Sequence, residues 1–165
     1  MRILAEGETR SVSRRVEDSR VEMTEIVLPE DTNSQGTIFG GRVLALIDKC
    51  ASIVALRHAH SQVVTAQIDS VEFVSGVRVG QVLVLHGRVN EVFRSSMEIE
   101  VEVHSEDPLT GQRTLATRAF VTMVSVGPDG RTVPAPRLDT GSPENAERAR
   151  AAAERRRLRL TTRHG

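Results

Sequence analysis

The chain has 165 residues, enough for one domain with a substantial core but too few for two ordinary domains once its charged ends are set aside. Its formal net charge is zero, so composition gives no reason to expect a nucleic acid, a membrane surface or a strongly anionic partner. The absence of Trp and Tyr also argues against a base-stacking surface for single-stranded nucleic acid.

The sequence shows no segment for membrane insertion or export. No apolar stretch approaches the roughly 20 residues that span a bilayer, and residues 1–20 lack the apolar region of a secretory signal. We therefore expect a cytoplasmic protein without membrane association. The lone Cys50 lies in an apolar helical run, where a free cysteine usually packs as a small hydrophobic side chain.

Composition divides the chain into three regions. Residues 1–19 are polar, rich in Arg and Glu and without hydrophobic periodicity, which predicts a flexible arm. Residues 20–138 carry the periodic apolar segments of the predicted domain. Residues 139–165 form a charged, Arg-rich tail, whose strong helix formers but missing apolar stripe predict a solvated helix that adds nothing to the core.

Within the predicted domain the first extended segment covers residues 20–28, and Pro29 ends it. The loop 29–41 contains Asp, Asn, Ser and several Gly, a composition typical of tight turns and of backbone that approaches a ligand closely. Residues 42–60 then show helical periodicity with apolar residues around most of the circumference. This pattern predicts a helix that is buried on several sides.

Four further extended segments follow the helix, separated by turn residues. They are residues 62–73, 81–92, 95–106 and 114–126. The third alternates apolar residues with Glu and His, so one face of the sheet is expected to meet water. An apolar helix is buried most economically when an antiparallel sheet curls around it. The sequence therefore predicts an α+β hotdog fold, in which a curved antiparallel sheet of about five strands wraps a long central helix.

Two features of the helix could support chemistry. Gly40 and Gly41 directly precede it, so unobstructed N–H groups at the positive end of the helix dipole could stabilise an oxyanion. Asp48 follows Gly41 by two turns and returns to nearly the same face, roughly 10 Å along the axis. Because Leu44 and Ser52 occupy its four-residue neighbours, no helical ion pair explains this carboxylate. The sequence leaves a functional role and a structural ion pair open.

Other polar residues have simpler explanations. Asn33 can orient a water or a carbonyl without titrating, but an Asx-turn that shapes the loop is the commoner role of such a residue. His58 and His60 cannot ligate one metal from a regular helix, because residues two apart point in different directions. Their placement at the negative end of the helix dipole is favourable and is the simpler explanation. The chain contains no P-loop, dinucleotide-binding glycine motif or zinc spacing, and we expect no metal.

Four short motifs occur in order: D-x-N in the loop, F-G-G at the helix start, I-D on the helix and R-S-S at the start of a strand. They lie in PEDTNSQGTIFGGRVLALIDKCASIVA and VNEVFRSSMEIEVEV, with VVTAQIDSVEF between the two. Over about residues 21–137 the chain strongly resembles the acyl-CoA thioesterase (acyl-CoA hydrolase) family of hotdog proteins. The resemblance implies hydrolysis of acyl-CoA to a free acid and CoA, without a cofactor.

The resemblance also implies residue roles. Asp48 would act as general base or nucleophile, Asn33 would position water or substrate, and the amides of Gly40 and Gly41 would polarise the thioester carbonyl. Thr65 would lie near the pantetheine arm of the substrate.

The resemblance also implies that Arg94, Ser95 and Ser96 contact a phosphate of CoA. A guanidinium beside two hydroxyls is suited to bind a phosphate. An ordinary turn with a solvated Arg would contain the same residues. The family further implies a homodimer at least, and a hexamer built as a trimer of dimers. Asn33 and Asp48 of one site could then come from different chains.

The sequence leaves two alternative functions open. A hydratase or dehydratase acting on acyl thioesters would need a His near the site, and the loop 29–41 contains none. A non-catalytic acyl-CoA-binding or sensing protein would use the same pocket without turnover. The sequence does not determine the acyl chain length.

Overall fold

The computed structural model describes residues 12–162. Its main elements are a five-stranded antiparallel sheet and a long helix that packs across it. The strands are β1 (Ser13–Arg15), β2 (Val21–Ile26), β3 (Gln62–Phe73), β4 (Val82–Val92), β5 (Ser96–Glu106), β6 (Arg113–Val126) and β7 (Arg137–Asp139). The helices are α1 (Gly40–Ala59) and α2 (Pro143–Thr162), with 3-10 turns at Val16–Ser19 and Pro29–Asp31. No helix within these residues is long and apolar enough to cross a membrane.

The main sheet has the order β2-β4-β5-β6-β3, and α1 packs on its inner face. The alternation predicted for β5 is confirmed, because its apolar residues are fully buried against α1. The helix approaches β4 so closely that a Cβ added at Gly87 would lie 2.8 Å from both Cys50 Sγ and Val54 Cγ2. The predicted hotdog arrangement of a helix wrapped by five strands is thus confirmed.

The C-terminal end of α1 is anchored by residues from both ends of the chain. Arg14 donates from Nη1 to the carbonyls of Arg57 at 3.2 Å and His58 at 2.7 Å. His58 is buried and its Nε2 donates to the Pro136 carbonyl at 2.8 Å. Burial lowers the pKa of His58, so this side chain is a neutral donor. The favourable placement of His58 at the negative end of the helix dipole stays a prediction, and the structure adds the bond to Pro136 that holds its ring.

Part of the segment predicted to be a flexible arm is structured. Residues Ser13–Arg15 form β1, which pairs in parallel with β7 at Arg137–Asp139. The following 3-10 turn buries Val16 and Ser19. The difference arises because β7 supplies the backbone partners, which a local composition analysis cannot detect. Residues 1–11 of the predicted arm lie outside the described residues.

The expectation that the tail would be a solvated helix is also corrected. Residues Pro143–Thr162 do form a helix, α2, but it docks on the outer face of the sheet and buries Ala149 and Ala152. Beneath it, Glu98 and Glu100 of β5 are only 2% and 4% exposed. The outer face predicted to meet water is therefore partly covered, and arginines from α2 neutralise its carboxylates. Residues 163–165 lie outside the described part.

The ion pair between Arg155 and Glu98 shows how α2 is held. Nη2 of Arg155 lies 2.7 Å from Oε1 of Glu98, and its guanidinium also stacks on Phe120 at 3.9 Å from the ring centroid. Asn90 adds a hydrogen bond to the same carboxylate at 3.1 Å. A buried carboxylate that loses its cation is strongly destabilising.

We therefore expect Arg155→Gln to lower the free energy of unfolding by about 2 kcal/mol, because Asn90 alone would be left to compensate the buried charge of Glu98. Guanidinium chloride denaturation measures the change. Arg157→Gln is the matched control: Arg157 pairs with the exposed Glu154, so its loss should change stability by less than about 0.5 kcal/mol. Equal effects of the two variants would contradict the docking described for α2.

Candidate functional site

Asp48 lies half-buried on α1, on a helix whose neighbours are mostly apolar. Its Oδ1 accepts a hydrogen bond of 2.6 Å from the Thr65 hydroxyl. None of the ion pairs recorded for residues 12–162 involves Asp48. The structural ion pair left open by the sequence is therefore not formed among the described residues, where one carboxylate oxygen of Asp48 also has no recorded partner.

Thr65 reaches Asp48 from the inner face of β3. It pairs opposite Met123 of β6, whose side chain lies in the core, and its hydroxyl therefore faces α1. The register shifts directly after Thr65, so that Gln67 lies on the outer side, where it bonds Asp69. The family resemblance implied that Thr65 would lie near the pantetheine arm, which stays a prediction, and the structure adds that its hydroxyl donates to Asp48. Strand periodicity alone gave no signal for this contact.

The start of α1 presents backbone donors without partners. The helix begins at Gly40, slightly earlier than predicted, and its cap residue Phe39 makes no side-chain capping bond. Among the described residues, no acceptor is recorded for the N–H groups of Gly40 and Gly41. A Cβ added at Gly41 would meet nothing within 4 Å. The space in front of this positively polarised helix end is open.

A cavity of about 320 Å³ begins at Gly40. It lies between the start of α1, the loop after β3 and the inner face of the sheet, and most of its lining side chains are apolar. These include Ile38, Val43, Phe73, Val77, Leu83 and Val103. The Phe73 ring packs over the helix start, 3.3 Å from where a Gly40 Cβ would lie. Neither Asp48 nor Thr65 lines this cavity, so a single chain does not bring amides and carboxylate together there.

Asn33 shapes the loop in this chain. Its Oδ1 accepts from the backbone N–H of Gln35 at 2.9 Å and of Thr37 at 3.3 Å. Its Nδ2 lies 3.0 Å from the Thr37 hydroxyl. This is the Asx-turn that the sequence offered as the simpler explanation. The structure does not place Asn33 against Asp48 within one chain.

The turn between β4 and β5 carries Arg94, Ser95 and Ser96. Its backbone is fixed by bonds from Ser125 N to the Ser95 carbonyl at 2.8 Å and from Ala135 N to the Arg94 carbonyl at 2.9 Å. The Arg94 side chain is exposed. No acceptor among residues 12–162 is recorded for its guanidinium or for the two serine hydroxyls. The turn thus presents free donors from a rigid backbone.

Other reactive side chains lie away from this region. Burial raises the pKa of the Cys50 thiol to about 12, so it is not a nucleophile near neutral pH. His86 and His104 lie on the outer face of the sheet with ring centroids 5.8 Å apart. Among the described residues, no group of three or more His, Cys, Asp or Glu side chains is arranged to hold a metal.

Comparison with known proteins gives consistent matches. A family model described as Thioesterase superfamily matches residues 35–112. The chain is 40% identical to an uncharacterized acyl-CoA thioester hydrolase of Bacillus subtilis, over 76% of this chain and 73% of that protein. It is 37% identical to the cytosolic acyl coenzyme A thioester hydrolase of Homo sapiens over 73% of this chain. The match spans only 32% of the human protein, about a third of its length.

Solved structures match over nearly the whole chain. A hexameric acyl-CoA thioesterase without ligand has a TM-score of 0.88 and 47% identity, covering 92% of this chain and 97% of that chain. An acyl-CoA hydrolase of Staphylococcus aureus in complex with butyryl coenzyme A, coenzyme A and coenzyme A disulfide has a TM-score of 0.85 and 30% identity, covering 92% of each chain. Further structures of the S. aureus enzyme carry single Asp, Asn or Thr to Ala substitutions.

Proposed function

Since this chain belongs to the acyl-CoA thioester hydrolase family, we propose that it hydrolyses acyl-CoA thioesters with Asp48 as the residue that drives attack on the thioester carbonyl. The observation that carries this assignment is a half-buried carboxylate without a cation partner, oriented by one hydroxyl and leaving its second oxygen available. In the reaction the C–S bond breaks, a C–O bond to water oxygen forms, and the CoA sulfur takes a proton. No cofactor is required for this chemistry.

The helix start would stabilise the transition state. As the carbonyl carbon is attacked, negative charge develops on the carbonyl oxygen, and the open N–H groups of Gly40 and Gly41 are suited to bind it. Asp48 could remove a proton from water as general base. It could equally attack the carbonyl itself to form an anhydride that water then hydrolyses. Both routes use the same carboxylate oxygen and the same oxyanion donors.

A second chain would bring these parts together. β3 lies at the edge of the main sheet. Val64 and Phe73 on it are 49% and 52% exposed, and Val74 directly after it is 57% exposed. An exposed edge strand with apolar side chains is a favourable surface for another chain. Pairing there would place the helix start and Asn33 of one protomer near Asp48 of the other. A trimer of such dimers would form a hexamer, and one relative of known structure is hexameric.

The substituted residues of the S. aureus enzyme support this choice of residues. That enzyme was studied with Asn, Asp and Thr each replaced by Ala. Their order and spacing along that chain are those of Asn33, Asp48 and Thr65 along this one. Two of these three already contact each other here.

The substrate can be divided between two surfaces. The apolar cavity beside Gly40 would receive the acyl group, and its volume of about 320 Å³ lies at the small end of ligand pockets, which favours short or medium acyl chains. The donors of Arg94, Ser95 and Ser96 would bind a CoA phosphate. A cytosolic location is proposed by analogy with the human relative.

The direct test is release of CoA thiol over a chain-length series of acyl-CoA substrates, comparing wild type with Asp48→Asn. The amide is nearly isosteric but neither accepts a proton nor attacks, so we expect kcat to fall by about 10²-fold or more while CoA binding is kept. Equal release by both proteins would show that Asp48 is structural. Binding of CoA without release by the wild type would favour the sensing protein instead.

Thr65 offers a second test. Thr65→Val removes the hydrogen bond to Asp48 while keeping a similar shape, so we expect kcat to fall about tenfold with little change in thermal stability. Thr65→Ser, which keeps the hydroxyl, is the matched control and should retain most of the activity. Loss of activity in the serine variant as large as in the valine variant would contradict a role for this bond.

A further inference from the structure

The arginines of α2 differ in what they contact. Four of them form ion pairs with carboxylates. The pairs are Arg148 with Glu100 and Glu144, Arg155 with Glu98, Arg157 with Glu154, and Arg159 with Asp69. For Arg156 no carboxylate within the described part of the chain is recorded, and its guanidinium instead lies 4.6 Å from the ring centroid of Phe93. Arg156 is thus half-buried and has no counter-charge among residues 12–162.

Phe93 connects this cation to the turn between β4 and β5. The N–H of Phe93 donates to the Ser96 carbonyl at 2.9 Å, so Phe93 is part of the turn itself. Arg94 follows it directly; its side chain is exposed, and no ion pair is recorded for it within the described part of the chain. The nearest carboxylate in sequence, Glu91, already accepts from the Val92 N–H at 2.8 Å, and burial raises its pKa. The turn and the segment of α2 that packs on Phe93 therefore contribute two guanidiniums, Arg94 and Arg156, for which no ion pair is recorded among the described residues.

The position of Arg156 is determined by its neighbours on α2. Arg155 and Arg159 anchor the same stretch of the helix to Glu98 and Asp69, so its backbone is fixed relative to the sheet. Stacking on Phe93 orients the guanidinium plane and leaves its N–H edge available. A planar cation held in this way can bind a phosphate through two parallel hydrogen bonds with little loss of side-chain entropy.

We propose that Arg156 of α2 and the turn Arg94–Ser96 together bind a phosphate group of the CoA moiety, so that the C-terminal helix is part of the substrate site. The identity of the ligand, CoA, rests on the hydrolase function proposed above. The two guanidiniums supply the charge and the serine hydroxyls supply further donors. The phosphate could belong to the 3′-phosphate of the ribose or to the diphosphate bridge, and the ligands chosen below distinguish them.

The test is calorimetric titration of Arg156→Gln with CoA, 3′-dephospho-CoA and pantetheine. We expect the affinity for CoA to fall about tenfold, because one charged hydrogen bond is lost. The affinity for pantetheine, which has no such phosphate, should stay unchanged. If dephospho-CoA binds the variant and wild type equally, the contact is with the 3′-phosphate; a loss as large as with CoA assigns it to the diphosphate. Arg150→Gln, which removes an exposed arginine without a recorded partner from the same helix, should bind all three ligands like the wild type.

The proposal is overturned if Arg156→Gln binds CoA as tightly as the wild type, or loses CoA and pantetheine affinity equally. Steady-state kinetics separate it from the hydrolase function. With an active wild type, Arg156→Gln should raise KM for acyl-CoA and leave KM for the acyl-pantetheine unchanged. If the wild type hydrolyses nothing but the variant still selectively loses CoA, the phosphate site stands and the hydrolase function falls.

Discussion

The close packing of α1 against the inner face of the sheet is the constraint on which the site depends. The helix lies so near β4 that Gly87 has no room for a Cβ beside Cys50 and Val54. Because the helix is fixed in this way in each protomer, the first amides that one protomer would contribute to a shared site and the Asp48 that its partner would contribute are both held rigidly by their own sheets. The edge strand β3 then adds the Thr65 hydroxyl to the carboxylate. A preorganised donor and base are what hydrolysis requires.

The two faces of the sheet differ in how they are stabilised. The inner face buries aliphatic side chains, which stabilise the fold through removal of apolar surface from water. The outer face carries glutamates that α2 covers with arginines, so its charges are paired at low exposure. Such a layer contributes less to stability than an apolar one of the same area, but it specifies where α2 sits. That placement is what puts Arg156 beside the turn after β4.

Sequence periodicity is sufficient to predict the strands and the helix of the core. Strands buried on one side alternate apolar with polar residues, and α1 has apolar residues around most of its surface. It also identified Asp48, since a carboxylate among apolar residues is conspicuous. The bond from Thr65 to Asp48 could not be predicted, because regular alternation would place Thr65 on the same face of β3 as Gln67. The bulge between these residues puts them on opposite faces. The docking of α2 was missed because Arg155 and Glu98 are distant in sequence, and a glutamate on an alternating strand is typical of a solvated face.

In the proposed site, Asp48 of one protomer acts with Asn33 of its partner across the β3 edge. Asp48→Asn and Asn33→Ala chains carrying different affinity tags can be co-expressed and the mixed oligomers purified through both tags. In a mixed dimer one site receives both substitutions and the other receives neither. We expect thiol release well above that of either parent variant, up to about half that of the wild type. Activity no higher than that of the parents would contradict a shared site.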